Sequence, residues 1–234
     1  MRIKLDLTSS PQHAAYIDSV NAALVAGMAS AGISSEDLVG YSARPWTFGT
    51  EGRSDRGAKA KIFSVTVSTP DPDLGAALAK LNPEEVRCAS SNGDTLYFGG
   101  ARLTVLDTEN ARVPELMVTF ASPFVLPLLK NEFSGRKFAN EITEVDLDAA
   151  LRRGLERRAG RDLDVNFHVD PLSLRTDVCK RIIPLRKSPK GPIRIPAFSV
   201  PMTIRGKPED VEFAFLAGLG AKTHAGFGCP IFMK

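Results

Sequence analysis

The chain has 234 residues, 43% of them hydrophobic and 24% charged, which suits one large or two small globular domains. No apolar run approaches the ~20 residues of a membrane-spanning helix. The three cysteines (Cys88, Cys179, Cys229) are too scattered for a disulfide framework or a zinc site. The net charge of +3 hides an asymmetry, because residues 150–207 carry fourteen Lys and Arg against five Asp and Glu. Such a local excess attracts polyanions, unless it is only a solvated surface.

In chain order, Ile3, Leu5 and Leu7 alternate with charged residues and predict a strand over 2–8 rather than a secretion signal. That opening and the unpaired thiols suit a cytoplasmic protein. Ser10 and Pro11 are placed to cap and open a helix running to about Ala31, with Ala14, Ile17, Val20, Leu24 and Met28 as its apolar stripe. Strands follow at Tyr41–Phe48 and Ile62–Ser68, separated by a Gly- and charge-rich loop over 49–60. Pro72 opens a short helix, and Thr95–Leu106 supplies a fourth strand. The order β-α-β-β-α-β is the ferredoxin-like arrangement.

The second half repeats that order. Leu116–Ala121 reads as a strand and Val145–Arg158 as a helix, and Leu163, Val165, Phe167 and Val169 alternate as a strand does. Leu172–Arg186 and Ile193–Ile204 are expected to form a hairpin around the basic tip 187–192. Pro208–Gly218 closes the pattern as a helix and Phe227–Met233 as a strand. The expectation is an α+β protein of two tandem ferredoxin-like domains, 1–110 and 111–234, with the boundary near 108–114.

Between the last helix and the last strand stand Gly218, Gly220, Gly226 and Gly228, with Lys222 and His224 among them. A dinucleotide fingerprint does not fit, because the segment follows a helix and Thr223 takes the third glycine's place. A phosphate-binding Walker loop does not fit, because Ala221 precedes Lys222. What remains is a plain turn, or a loop whose backbone N–H groups approach a ligand.

Glycine–hydrophobic–glycine, five residues, then Gly226-Phe-Gly228 resembles the signature loop of the repeat-associated mysterious proteins, the RAMP superfamily. Arg44–Phe48, Val67–Pro72 and Phe120–Phe124 fit that layout too, so the resemblance covers nearly the whole chain. Within the superfamily the sequence is most similar to the endoribonucleases that excise guide RNA from CRISPR repeat transcripts. One sequence does not separate the subtypes, a type IV variant among them.

The resemblance implies cleavage without a cofactor or metal. The RNA 2′-hydroxyl attacks the adjacent phosphate, leaving a 2′,3′-cyclic phosphate and a free 5′-hydroxyl. A base, an acid and positive charge on the phosphorane are then needed. The histidine that many relatives place between the first helix and second strand is missing from residues 32–40. Candidates for the chemistry are therefore His13, at the expected helix start, and Arg44 with Tyr41 or Ser42 beside it. His168 falls on the polar phase of its strand. RNA contacts are expected from Arg53 and Arg56 and from Arg152, Arg153, Arg157, Arg158 and Arg161. The hairpin adds Arg181, Arg186, Lys187, Lys190 and Arg194, and the glycine segment adds Gly218, Gly220, Lys222, His224, Gly226 and Gly228. Trp46 and Phe48 are placed either to stack on bases or to join the core. The alternative function is a non-catalytic guide-RNA-binding subunit of an effector complex. A small-molecule enzyme on the same scaffold lacks a convergent acid–base cluster.

Overall fold

The computed structural model describes residues 1–40, 43–53, 59–89, 92–128, 137–174 and 179–233. The first half contains β1 (Arg2–Asp6), β2 (Gln12–Ala14), α1 (Ile17–Ser30), α2 (Ser35–Leu38), β3 (Thr47–Arg53), β4 (Ala60–Ser68) and α3 (Pro72–Ala79). It ends with β5 (Arg87–Ala89), β6 (Thr95–Tyr97) and β7 (Arg102–Val105). The main sheet runs β7–β1–β4–β3, all antiparallel, and β2 continues the line of β1 along β4. That order is fourth, first, third, second, the ferredoxin-like one.

The second half contains β8 (Glu115–Ser122), α4 (Leu147–Ala159), β9 (Val165–Val169), α5 (Pro171–Leu174), β10 (Lys180–Ser188) and β11 (Gly191–Phe198). Then come β12 (Met202–Gly206), α6 (Pro208–Ala217) and β13 (Cys229–Phe232). Its sheet, β13–β8–β12–β9, has the same order, and β10–β11 form a separate hairpin between its second and third strands. The chain is thus two tandem ferredoxin-like folds. One apolar core draws on Ile3 through Phe98 and another on Ala111 through Leu219.

Several local expectations are corrected. Gln12–Ala14 pairs with Ala60–Ile62 as a strand, so Ser10 and Pro11 open no helix and His13 sits on a sheet. α1 begins at Ile17 behind Tyr16, whose side chain makes no cap. The ladder with β4 satisfies the backbone groups of 12–14 in place of a helical turn. The second strand starts at Thr47, not Tyr41, and it runs on to Arg53 through what reads as a loop. The expected fourth strand is broken into β6 and β7, because β6 turns away to pair with β5. The hairpin arms are shorter than expected: α5 precedes them, and β12 belongs to the main sheet. Trp46 and Phe48 are core residues, exposed by 1% and 0%, and Trp46 Nε1 donates to the Leu38 carbonyl at 2.9 Å.

Buried hydroxyls stitch the halves together. Thr47 Oγ1 donates to the Phe227 carbonyl, Ser68 Oγ to Leu216 and Ser122 Oγ to Phe48, each at 3.0 Å. Between them β3 meets β8 so closely that a Cβ on Gly49 would fall 2.6 Å from that of Ala121. A side chain at residue 49 would therefore force the two sheets apart.

Candidate functional site

The loop between α6 and β13 is where both halves and the hairpin meet. Arg158, from the last turn of α4, donates to the carbonyls of Gly218 and Gly220, both at 2.8 Å. Burial lowers the pKa of its guanidinium to about 10, and repulsion from Arg157 acts in the same direction. On the other side Ala225 and Phe227 share a small core with Leu185, Ile195 and Ala197 of the hairpin and with Ile17 of α1. A Cβ on Gly226 would lie 2.6 Å from the Phe48 ring and 2.7 Å from Ile17, so glycine lets the loop seat on the first half.

Two expectations change here. Gly218, Gly220, Gly226 and Gly228 are all buried. The N–H groups of Leu219, Ala221, Ala225, Gly226 and Gly228 are taken by protein carbonyls. The glycines therefore shape the loop, while Lys222 and His224 reach the surface. Arg158 likewise braces the loop.

Lys222 has φ 59, alone among the described non-glycine residues in adopting a positive φ. Its pKa is lowered, first by burial and then by repulsion from Arg186 and Lys137, with Asp18 acting the other way. Its Nζ stands 6.0 Å from the centre of the Phe138 ring. A cationic patch so built, with three ammonium or guanidinium groups held against their mutual repulsion, is suited to a phosphate. The pKa of His224 is lowered to about 4 by burial and by Lys222 and Arg158, so its ring is neutral at physiological pH. A group of that pKa is a poor proton donor near neutrality.

The arginines of α4 and of the turn just after it divide by partner. Arg152 pairs with Asp148 at 3.2 Å and Arg161 with the buried Asp210 at 2.6 Å, whereas Arg153 and Arg157 project to solvent. Along the hairpin Arg181, Arg186, Lys187, Lys190 and Arg194 are exposed, while Leu185, Ile195 and Ala197 face the protein. The hairpin meets the first half where the Lys187 N–H donates to Asn92 Oδ1 at 2.8 Å.

His13 and Arg44 are far apart. His13 pairs with Lys61 on β4, and Arg53 holds the register position opposite Lys61 on β3, so three strands align one histidine with two basic residues. His13 and Lys61 are exposed, while Ala14 and Ile62, the next residues along their strands, are buried. Arg44 precedes Thr47, which pairs with Ser68 at the other end of β4. Seven strand residues, about 23 Å, separate those two ends. Three carboxylates also hold Arg44: Asp37 at 3.5 Å, Asp71 at 3.3 Å and Asp73 at 2.9 Å. The two candidates for the chemistry, His13 and Arg44, are thus brought to opposite ends of β4. His168 lies on β9 opposite Thr203, away from both. Tyr41, Ser42 and Arg56 lie outside the described residues, as does the side chain of Arg53.

Sequence reasoning missed Lys59, Lys61 and Lys137. The alternation Lys59-Ala60-Lys61-Ile62 carries the strand signal for the first two. Nothing local marks Lys137, which approaches Lys222 only through tertiary folding.

No curated protein matches the chain. Among solved structures it is similar over its full length to the product of a Cas6-related gene from Pyrococcus furiosus (TM-score 0.69, 16% identity, 98% of that chain covered). It is also similar over its full length to a RAMP protein described as binding different RNA substrates (TM-score 0.68, 17% identity, 100% of that chain). A Cas6 product complex matches over 99% of this chain and 98% of its own (TM-score 0.59, 17% identity). At such identities the likeness is one of fold. The family model for CRISPR associated protein Cas6, C-terminal, matches residues 110–230, which is more than half of the sequence. This chain belongs to the Cas6 family of CRISPR associated proteins.

Proposed function

We propose that the chain binds the stem-loop of a CRISPR repeat RNA, cuts it without a metal ion, and keeps hold of the guide-RNA product. In this reading residues 111–234 grip the RNA and residues 1–110 supply the chemistry. The 2′-oxygen bonds to phosphorus as the P–O5′ bond breaks. The 2′-hydroxyl proton passes to a base, and the leaving oxygen takes a proton from an acid. The products are a 2′,3′-cyclic phosphate and a 5′-hydroxyl.

One observation carries the reading. Arg186 of the hairpin, Lys222 of the loop and Lys137 form one cationic patch beside the start of α1, and the chain leading into α1 carries exposed His13 opposite Lys61. RNA duplexes are recognised mainly through phosphates and 2′-hydroxyls, which a basic hairpin beside a helix end suits. An exposed imidazole is suited to proton transfer near neutral pH.

The test is cleavage of a repeat stem-loop in excess chelator, with a second substrate carrying 2′-deoxyribose at the cut position. The expected result is defined cleavage of the first, a cyclic phosphate end, and no cleavage of the second. Strict dependence on magnesium, or a 3′-hydroxyl end, would contradict it.

A second reading is a guide-RNA-binding subunit that does not cut. The carboxylates around Arg44 and the neutral, half-buried His224 favour it, because they leave few groups for proton transfer. Tight binding of the uncut repeat with no cleavage under any condition would be its signature.

A further inference from the structure

Asp94 is a carboxylate whose placement the RNA-gripping surface does not explain. Its side chain is fully enclosed, yet its ion-pair partner Lys59, at 2.8 Å, is 47% exposed. The same carboxylate accepts from the Ala15 N–H at 3.0 Å and from Ser19 Oγ at 2.8 Å. Ala15 directly follows β2 and Lys59 directly precedes β4, so one carboxylate ties together the open end of that ladder. Burial raises the Asp94 pKa, but the hydrogen bonds from Lys59, Ser19 and Ala15 outweigh it, and the net direction is down. The group thus stays ionised, which keeps the lysine anchored.

What the anchor positions is the exposed face of the ladder. Lys61 is opposite His13, and Lys59, which directly precedes β4, is exposed as Lys61 is. A buried carboxylate is costly to desolvate, and an aspartate needed only to close a ladder has no use for a half-exposed lysine. The same turn also receives the second half, through Lys187 to Asn92 Oδ1 and through Asn92 Nδ2 to Ser19 Oγ at 3.4 Å. The hairpin that meets RNA and the strand that carries His13 therefore share one anchor.

We propose that Lys59 contacts the scissile phosphate beside His13, neutralising charge on the phosphorane, and that Asp94 is the positioning residue that holds it there. This rests on the ribonuclease reading above. In that reaction the Lys59 ammonium neither gains nor loses a proton. It stabilises the two non-bridging oxygens while the 2′-O–P bond forms and the P–O5′ bond breaks.

The test is single-turnover cleavage of a repeat stem-loop at saturating protein, with affinity measured separately by direct binding. Lys59→Ala is expected to slow cutting by roughly a hundredfold with little change in affinity, because its loss is felt in the transition state. Lys59→Arg should recover at least about tenfold of that loss, since a guanidinium also binds phosphate. Asp94→Asn should slow cutting too, and the double variant Asp94→Asn/Lys59→Ala should be no slower than Lys59→Ala, as expected for residues acting as one unit. Wild-type protein that cuts while Lys59→Ala cuts equally fast would overturn this inference alone. Wild-type protein that binds the repeat and never cuts it would overturn the ribonuclease reading with it.

Discussion

His224 and Arg158 are both half-buried, and that burial governs what each one does. An imidazole held neutral makes stability depend on acid. With a folded pKa of about 4 against an ordinary 6.5, the unfolded chain takes up a proton between those values that the folded chain refuses. Stability is therefore complete above pH 6.5 and falls as the pH drops toward 4, by about 3 kcal/mol for a shift of this size. Urea midpoints at pH 7 and pH 4.5 should diverge less in His224→Gln than in the wild type. Equal divergence would show that the ring is not held neutral by the fold. Arg158→Ala leaves the carbonyls of Gly218 and Gly220 without their donor, and should lower stability by about 2–5 kcal/mol, read from the same denaturation curves. None of this was legible in sequence. The repeated arginines of 152–161 look alike there, and only the packing of α4 on the loop separates the brace from the exposed pair Arg153 and Arg157.

At the scale of elements, strand periodicity was the dependable signal. β1 and β9 lie where alternation placed them, β4 and β8 lie close to their expected ranges, and α3 and α6 start at Pro72 and Pro208. The failures lie where tertiary pairing overrode local preference. Ser10-Pro11 reads as a helix start, yet the pairing of Gln12–Ala14 with β4 turned the segment into a strand and moved His13 from a helix end to a sheet. Two element-level predictions follow from the pairing. Gly49→Val where β3 meets β8 should cost about 1–3 kcal/mol through overpacking against Ala121, measurable as a fall in the denaturation midpoint. On the hairpin, replacing Arg186, Lys187, Lys190 and Arg194 with Ala should flatten the dependence of log affinity on log salt, by about 0.7–0.9 for each phosphate left without its cation. An unchanged slope would mean those side chains only meet solvent.

The molecule as a whole is a repeated fold, two copies of one strand order in tandem. Both sheets keep the same strand order, and the second copy carries an inserted hairpin between its second and third strands. The doubled β-α-β-β-α-β pattern made the architecture readable from sequence, because it depends on periodicity alone. The site was only partly readable, because it depends on where strands end. His13 and Arg44 are both near expected element starts, yet β4 holds them at opposite ends, and three carboxylates occupy the arginine. The most direct test compares the two ends of that strand, by single-turnover cleavage of a repeat stem-loop with His13→Ala and with Arg44→Ala across pH 5 to 9. The expected result is that His13→Ala slows cutting roughly a hundredfold or more at every pH, with Arg44→Ala close to wild type. Normal cutting by His13→Ala beside an inactive Arg44→Ala would contradict it and move the chemistry to the other end of the sheet.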